Sequence, residues 1–241
     1  MIEKIPEVDS TNRYLAEEQS KRKFPSGFVV YAEKQTRGRG QAGNFWEAEK
    51  GKNLTFSVFF QPKNLQGNLA FAIAEIASLS VKYTLDRYIP EVSVKWPNDV
   101  YYRDKKIAGI LIENVFMSGI IEHSIIGIGI NINQMQFLSN APNPVSLSQI
   151  TGVTYEKTDI LDEFVEIFTE QGRRLDNHCF DEIHHGYLEA IYRKEGYHKY
   201  RDSCSDFDAK IHTVEPAGHL ILERTDGRLS KYAFKEVAWL Y

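Results

Sequence analysis

Cysteine is scarce in this 241-residue chain, which has only Cys179 and Cys204. Their spacing matches neither a metal knuckle nor a CxxC redox pair, so both read as ordinary packed or surface thiols. No run approaches the roughly 18 consecutive apolar residues that a membrane-spanning helix needs. The charged start "MIEKIPEVDSTNRYLAEEQS" also lacks the apolar stretch of a signal peptide. A cytoplasmic protein is therefore expected. The histidines include the pair His184-His185 but no HExxH spacing, which argues against a protein-held zinc ion. A Walker P-loop is excluded too: Gly51-Lys52 is followed by Asn53, and Trp46 stands where the first glycine belongs. Nor is there an excess of positive charge. A net charge of −4 gives no general pull toward nucleic acid or an anionic membrane, although a local basic patch can still act. No internal repeat or low-complexity linker interrupts the chain.

What is present is a mixture of two periodicities, which predicts an α/β domain. "NLTFSVFF" puts Leu54, Phe56, Val58 and Phe60 on one face, and "EVSVKW" puts Val92, Val94 and Trp96 together with Lys95 opposite. Both read as half-buried strands. Segments 28–33, 107–114 and 120–133 are further strand candidates, the last long and β-branched enough to lie centrally. Between them, 67–89 has helical spacing through Leu69, Ile73, Ile76 and Ser80. A second helix over 158–178 carries Leu161, Phe164, Phe168 and Leu175 on one face, with Thr158 or Asp159 as N-cap. Beyond about residue 195 the texture changes to short strand-like runs, "AKIHTV", "HLILER" and "YAFKEVAWL", with Asp226-Gly227 as a hairpin signal. Two units are expected: a larger one over 1–195 and a small all-β one over 196–241, too small to be strongly stable alone.

Four segments carry chemistry. In "QTRGRGQAGNFW", Gly38, Gly40 and Gly43 permit positive φ or close backbone approach, and Arg37 and Arg39 suit carboxylate or phosphate. The alternatives are an anion-binding loop and a flexible RGG-like surface segment, or one that touches nucleic acid. In "VKWPNDVYYRDKKIAGIL", Pro97 stops a ladder, Asn98-Asp99 makes a turn, and a strand returns at Ile107, with Lys106 at its start. Taken singly, Lys95 and Lys106 are surface lysines. "VDSTNRYLAEE" reads as a capped helix start, or as a helix N-terminus whose small polar side chains bind a compact polar ligand. "GIGININ" puts Gly127 and Gly129 in a buried strand, signalling either close approach by a ligand or a bulge.

"DSTN", "QTRGRGQAGNFW", "VKWPNDVYYRDKKIAGILIE", "GIGININ" and "PNPVSLSQITG", in this order, closely resemble the biotin protein ligases. The resemblance covers essentially the whole chain. KWPND with KxAGIL at this spacing is highly specific, while the terminal β module matches only in general pattern. The resemblance implies a mixed central β-sheet flanked by helices, related to class II aminoacyl-tRNA synthetase catalytic domains, with a small C-terminal SH3-like β-barrel. It implies a two-step ligation with biotin and ATP as substrates and Mg2+ in attendance: biotinyl-5′-adenylate forms, and a lysine of a biotin carboxyl carrier protein then takes the biotin.

Carried across residue by residue, the resemblance makes Ser10, Thr11, Asn12 and Gln35 the polar contacts to biotin's ureido ring. Arg39, between Gly38 and Gly40, becomes the contact to carboxylate and phosphate. Lys106 bridges those two groups at the reacting centre, next to Gly109 of "IAGIL". Asp99 is a candidate for orienting Mg2+ or the acceptor lysine, and the sequence does not divide those roles. Trp46 is an adenine platform or else a core tryptophan, and Asn131 is an adenine-side contact. Gln41 departs from the pattern, since some members carry another arginine there, and this bears on adenylate retention. Only eight residues precede "DSTN", so no DNA-binding repressor function is expected; from the net charge and the lack of long apolar runs, no membrane partner is expected either. The family theme for assembly is a monomer or a weak, ligand-promoted homodimer. A lipoyl ligase-like acyltransferase and a binding-only nucleotide or anion module are the alternatives.

Overall fold

The computed structural model describes residues 1–138 and 143–240, so Pro142 of "PNPVSLSQITG" and the terminal Tyr241 lie outside the described residues. Seven strands form one sheet: β1 (Ile2–Ile5), β2 (Phe28–Ala32), β3 (Leu54–Phe60), β4 (Val92–Lys95), β5 (Asp99–Tyr102), β6 (Lys105–Met117) and β7 (Ile120–Ile130). Their spatial order is β1-β2-β3-β7-β6-β5-β4. β1 and β2 pair in parallel and the remaining ladders are antiparallel, so the mixed sheet is as expected.

Helices cover both faces. α1 (Thr11–Glu18) lies on one, where Leu15 packs with Phe24, Phe28, Val30, Phe59 and Ile125. α2 (Phe71–Leu85), the short α3 (Leu147–Thr151), α4 (Lys157–Asp176) and α5 (Phe180–Ala190) complete the helical set. The apolar faces of α2, α4 and α5 join the main core. Phe164 and Phe168 of α4 meet Phe56 and Phe60 edge-on, with ring centroids 4.9 and 5.5 Å apart. Burying each such ring contributes about 1.5–3 kcal/mol. Because helices stand on both sides, every residue of β3 is buried, not half of them as alternation suggested. Among the described residues no helix is long and apolar enough to cross a membrane.

Several boundaries differ from expectation for local reasons. α2 starts at Phe71, because Gly67–Leu69 forms a separate 3₁₀ turn. The α4 cap is Glu156, whose carboxylate accepts from the Thr158 N–H, in place of Thr158 or Asp159. The turn after β4 is Trp96–Asn98, and the chain returns at Asp99 rather than Ile107. β5 then pairs with both neighbours, burying Val100 and Tyr101 in a stretch whose charged surroundings had masked a strand.

Five more strands, β8 (His198–Arg201), β9 (Asp206–Val214), β10 (Leu220–Arg224), β11 (Leu229–Tyr232) and β12 (Ala238–Trp239), make an antiparallel sheet in the order β11-β10-β9-β8-β12. The Asp226-Gly227 hairpin is present, with Gly227 at φ +81. "YAFKEVAWL" is not one strand: β11 ends at Tyr232, a turn follows, and only Ala238–Trp239 pair again. Neither β1 nor β8 was legible, as both are short and rich in charged residues. Tyr200, Ala209, Val214, Leu220 and Leu222 of this sheet belong to the same core as the larger one. Trp96 Nε1 also donates across to the Gly218 carbonyl at 2.9 Å.

One buried ionic contact joins α2 to α5. Glu75, 4% exposed, has its Oε1 2.6 Å from His184 Nδ1. Burial pushes the Glu75 carboxyl up, more than His184 draws it down, while the hydrogen bond that His184 donates to Glu75 raises the imidazole against its own burial. A raised histidine stabilises the fold fully below its ordinary value of about 6.5, and that stabilisation is lost as pH rises through the higher folded value. Above it, Glu75 remains a buried carboxylate without a cation. In urea unfolding, His184→Gln should therefore cost about 1 kcal/mol near pH 6 and clearly less near pH 9. An equal cost at both pH values would show that the pair does not titrate in this way.

Candidate functional site

A cavity of about 340 Å³ opens over the middle of the large sheet, closed on one side by Trp239 of β12 and by Phe234, Lys235 and Val237 of the turn before it. Its floor is the β6/β7 ladder, where Gly109 is opposite Gly129 and Leu111 opposite Gly127. The ladder between β3 and β7 runs through both glycines of β7 without a register shift, so they do not mark a bulge. They admit side chains instead. A Cβ on Gly127 would lie 2.3 Å from Asn12 Oδ1, and one on Gly129 2.2 Å from Trp46 Cε2. Two residues apart on one strand, the glycines share a face and seat the start of α1 beside the indole.

The α1 end is polar. Ser10 occupies the N-cap position without making a side-chain cap bond, so its role there is not capping. Thr11 donates its N–H to Gln35 Oε1 at 2.8 Å, with Thr11 Oγ1 3.1 Å from the same oxygen. Ser57 Oγ of β3 lies 2.6 Å from both Thr11 Oγ1 and Asn12 Oδ1. Ser10, Thr11, Asn12 and Ser57 are all buried, and the first three line the cavity with Gln35. Ser57 thereby joins Thr11 to Asn12, its one hydroxyl proton shared between the two oxygens.

The other end is cationic. Lys106 Nζ lies 2.6 Å from Asp99 Oδ1 and 5.8 Å from the centre of the Trp46 ring. Arg39, Lys95, Lys106 and Lys235 face the cavity, against the single carboxylate of Asp99 among the described lining residues. That imbalance suits an anionic ligand. Lys95 Nζ also lies 4.7 Å from the Tyr101 ring centre and 5.5 Å from that of Trp239. The half-buried Trp46 forms the boundary between the two ends.

Of the residues proposed from sequence, Ser10, Thr11, Asn12, Gln35, Arg39, Gly40, Trp46, Asp99, Lys106 and Gly109 meet at this cavity. Gly38 and Asn131 do not line it. Gly38 is needed because a Cβ there would come 2.5 Å from the Trp46 carbonyl. Neither Gly38 nor Gly40 has a positive φ; within the loop only Gly43 does, at +89. Asn131 lies beyond the end of β7, which stops at Ile130, and its Nδ2 donates to the Val145 carbonyl at 3.2 Å, so it anchors the segment leading to α3. Sequence reasoning missed Ser57, Glu113 and Lys235. Ser57 had a signal, being a hydroxyl between two apolar positions of a strand, whereas Glu113 is recognisable only through partners remote in sequence and Lys235 only through its place on the cavity wall.

A match to the biotin/lipoate A/B protein ligase family spans residues 5–131, more than half of the chain. The chain belongs to that family. It is 31% identical over 178 residues to the bifunctional ligase/repressor BirA of Escherichia coli, covering 70% of this chain but 54% of that protein, so it spans about half of that relative's length. A biotin–acetyl-CoA-carboxylase ligase of Paracoccus denitrificans is 27% identical over 213 residues, covering 83% of this chain and 85% of that one. A biotin protein ligase from Aquifex aeolicus, solved in complex with biotin and ATP, superposes with a TM-score of 0.79 at 26% identity, covering 98% of this chain and 97% of that one. The mixed sheet with its appended β module is thus the fold of this family.

Proposed function

We propose that this chain is a biotin protein ligase, which joins biotin to AMP at the expense of ATP and passes the biotin to a lysine of a carrier domain. One observation carries the reading: a buried polar recess and a cluster of cations share one cavity, so a compact polar ring and its acid tail can be held at once. The ureido ring of biotin offers two N–H donors and one carbonyl, matched by Ser10, Thr11, Asn12 and Gln35. A dithiolane ring offers no such donors, which favours biotin over lipoate.

In the first step a carboxylate oxygen attacks the α-phosphorus of ATP and pyrophosphate leaves. Both reactants are anions, so Arg39 and Lys106 offset their repulsion and stabilise the charge that develops. Lys106 is held for this by Asp99. Among the described residues no cluster of three carboxylate, histidine or cysteine side chains is suited to hold a metal. A Mg2+ ion fits only as one arriving on the nucleotide phosphates, with Asp99 as its nearby carboxylate, where it would add further charge neutralisation. In the second step the acceptor amine attacks the mixed-anhydride carbonyl and AMP leaves, with Asp99 within the cavity to receive the amine proton. Trp46 offers a face for adenine.

Exchange of labelled pyrophosphate into ATP tests the reading. Exchange should require biotin and should fall about a hundredfold with lipoate in its place, reflecting the unpaired polar groups a poor ring would leave. Exchange with lipoate alone would overturn the substrate, and no acid-dependent exchange would leave a binding module.

A further inference from the structure

Glu113 stands on β6 outside the cavity lining, yet both of its oxygens are committed to groups that line it. Oε2 accepts from Asn12 Nδ2 and Oε1 from Arg39 Nη2, each at 2.8 Å. Asn12 Oδ1 in turn accepts from Ser57, which reaches Thr11, whose backbone N–H donates to Gln35. An unbroken hydrogen-bond path therefore runs from Gln35 to Arg39 through α1, β3 and β6, tying together two points of the same loop by a route outside that loop.

We propose that Glu113 is the positioning residue that sets the acid-binding geometry of this site, an inference that rests on the ligase reading above. A carboxylate has two acceptor oxygens, and here each takes one donor. The first bond, the shorter of two that the Asn12 NH2 group makes beside the one to the Leu111 carbonyl, helps fix which way the amide points, presenting its Oδ1 rather than its NH2 toward Ser57 and the polar recess. The second holds the Arg39 guanidinium by one nitrogen and leaves its other donors for the substrate carboxylate. Ring and tail of one acid are thereby registered against a single side chain. A loop that moves Arg39 away would break the Glu113 contact and leave Asn12 as it is, so the two halves of the site separate in this one residue.

Glu113→Gln keeps size and shape but has one acceptor and one NH2 group, so either Asn12 or Arg39 faces a donor. Kinetics of biotin-dependent pyrophosphate exchange should show KM for biotin raised about tenfold or more and KM for ATP raised by clearly less, since Arg39 serves both substrates whereas Asn12 serves only biotin. Glu113→Asp, one methylene shorter and still a two-oxygen acceptor, should recover part of the loss and serves equally if the glutamine variant is unstable. In an Arg39→Ala background the glutamine change should have a smaller effect on KM for biotin than in wild type, because one of its two targets is gone. A KM for biotin that is unchanged or lowered would overturn the proposal, the lowered value marking Glu113 as a competitor for Arg39. Equal rises in both KM values, or full additivity with Arg39→Ala, would overturn it as well. Wild type alone bears on the ligase reading: if it shows no exchange, that reading fails, whereas exchange by wild type with an indifferent Glu113→Gln sinks only this inference.

Discussion

Lys106→Ala is expected to slow biotin-dependent pyrophosphate exchange by about a hundredfold or more, the range found when a single preorganised donor to a developing charge is removed. The side chain is only 22% exposed and its Nζ sits 2.6 Å from Asp99, so its position is fixed before any ligand arrives. Removing it has two consequences. The attacking carboxylate and the phosphate lose a cation between them, and Asp99 becomes an uncompensated carboxylate facing the same anions. Global stability should change by only about 1 kcal/mol, because the pair is partly solvated and no packed apolar surface is lost. Single-turnover adenylation with a variant shown to be folded checks this. A rate within about threefold of wild type would remove Lys106 from the reacting centre.

Lys106 also illustrates what a sequence can and cannot disclose. Taken singly it read as a surface lysine, and only the resemblance carried by KWPND and KxAGIL marked it; in the fold it stands at the start of the strand Lys105–Met117 and lines the cavity. Helices were legible where their apolar faces were unmixed, as in α4, where Leu161, Phe164, Phe168 and Leu175 are all buried. Strands were legible where β-branched residues ran on, and illegible at β1, β5 and β8, whose short charged stretches pair only because a neighbour supplies the ladder. The site divides along the same line. "DSTN" and the arginine-glycine loop stood out locally but with two readings each, which the other motifs had to decide between, whereas Glu113 acquires meaning only through Asn12, 101 residues away, and Arg39, 74 residues away. Gly127 and Gly129 were noticed, but the sequence could not say that protein side chains, rather than a ligand or a bulge, occupy the space above them.

That last point yields the other large effect, at Gly127. Alanine there would bring a Cβ to 2.3 Å from Asn12 Oδ1 and 2.9 Å from its Cγ. Asn12 is 2% exposed and held by Ser57, Glu113 and the Leu111 carbonyl, so it has no free direction in which to yield. The first turn of α1 must lift from the sheet, at a cost of about 1–3 kcal/mol for overpacking. A displacement of about 1 Å there misplaces Ser10 and Thr11 as well, and biotin affinity should fall by about a hundredfold. ATP affinity should change far less, since Lys95, Lys106 and Trp46 line the cavity from β4, the start of β6 and the loop before β3. Calorimetric titration and thermal unfolding read the two effects separately. The decisive comparison adds Asn12→Ala to Gly127→Ala: removing the side chain that clashes should restore much of the lost stability while leaving biotin binding weak. Recovery of both would mean that Asn12 is only a spacer beneath α1. Recovery of neither would mean that the new methyl group strains the β6/β7 ladder itself.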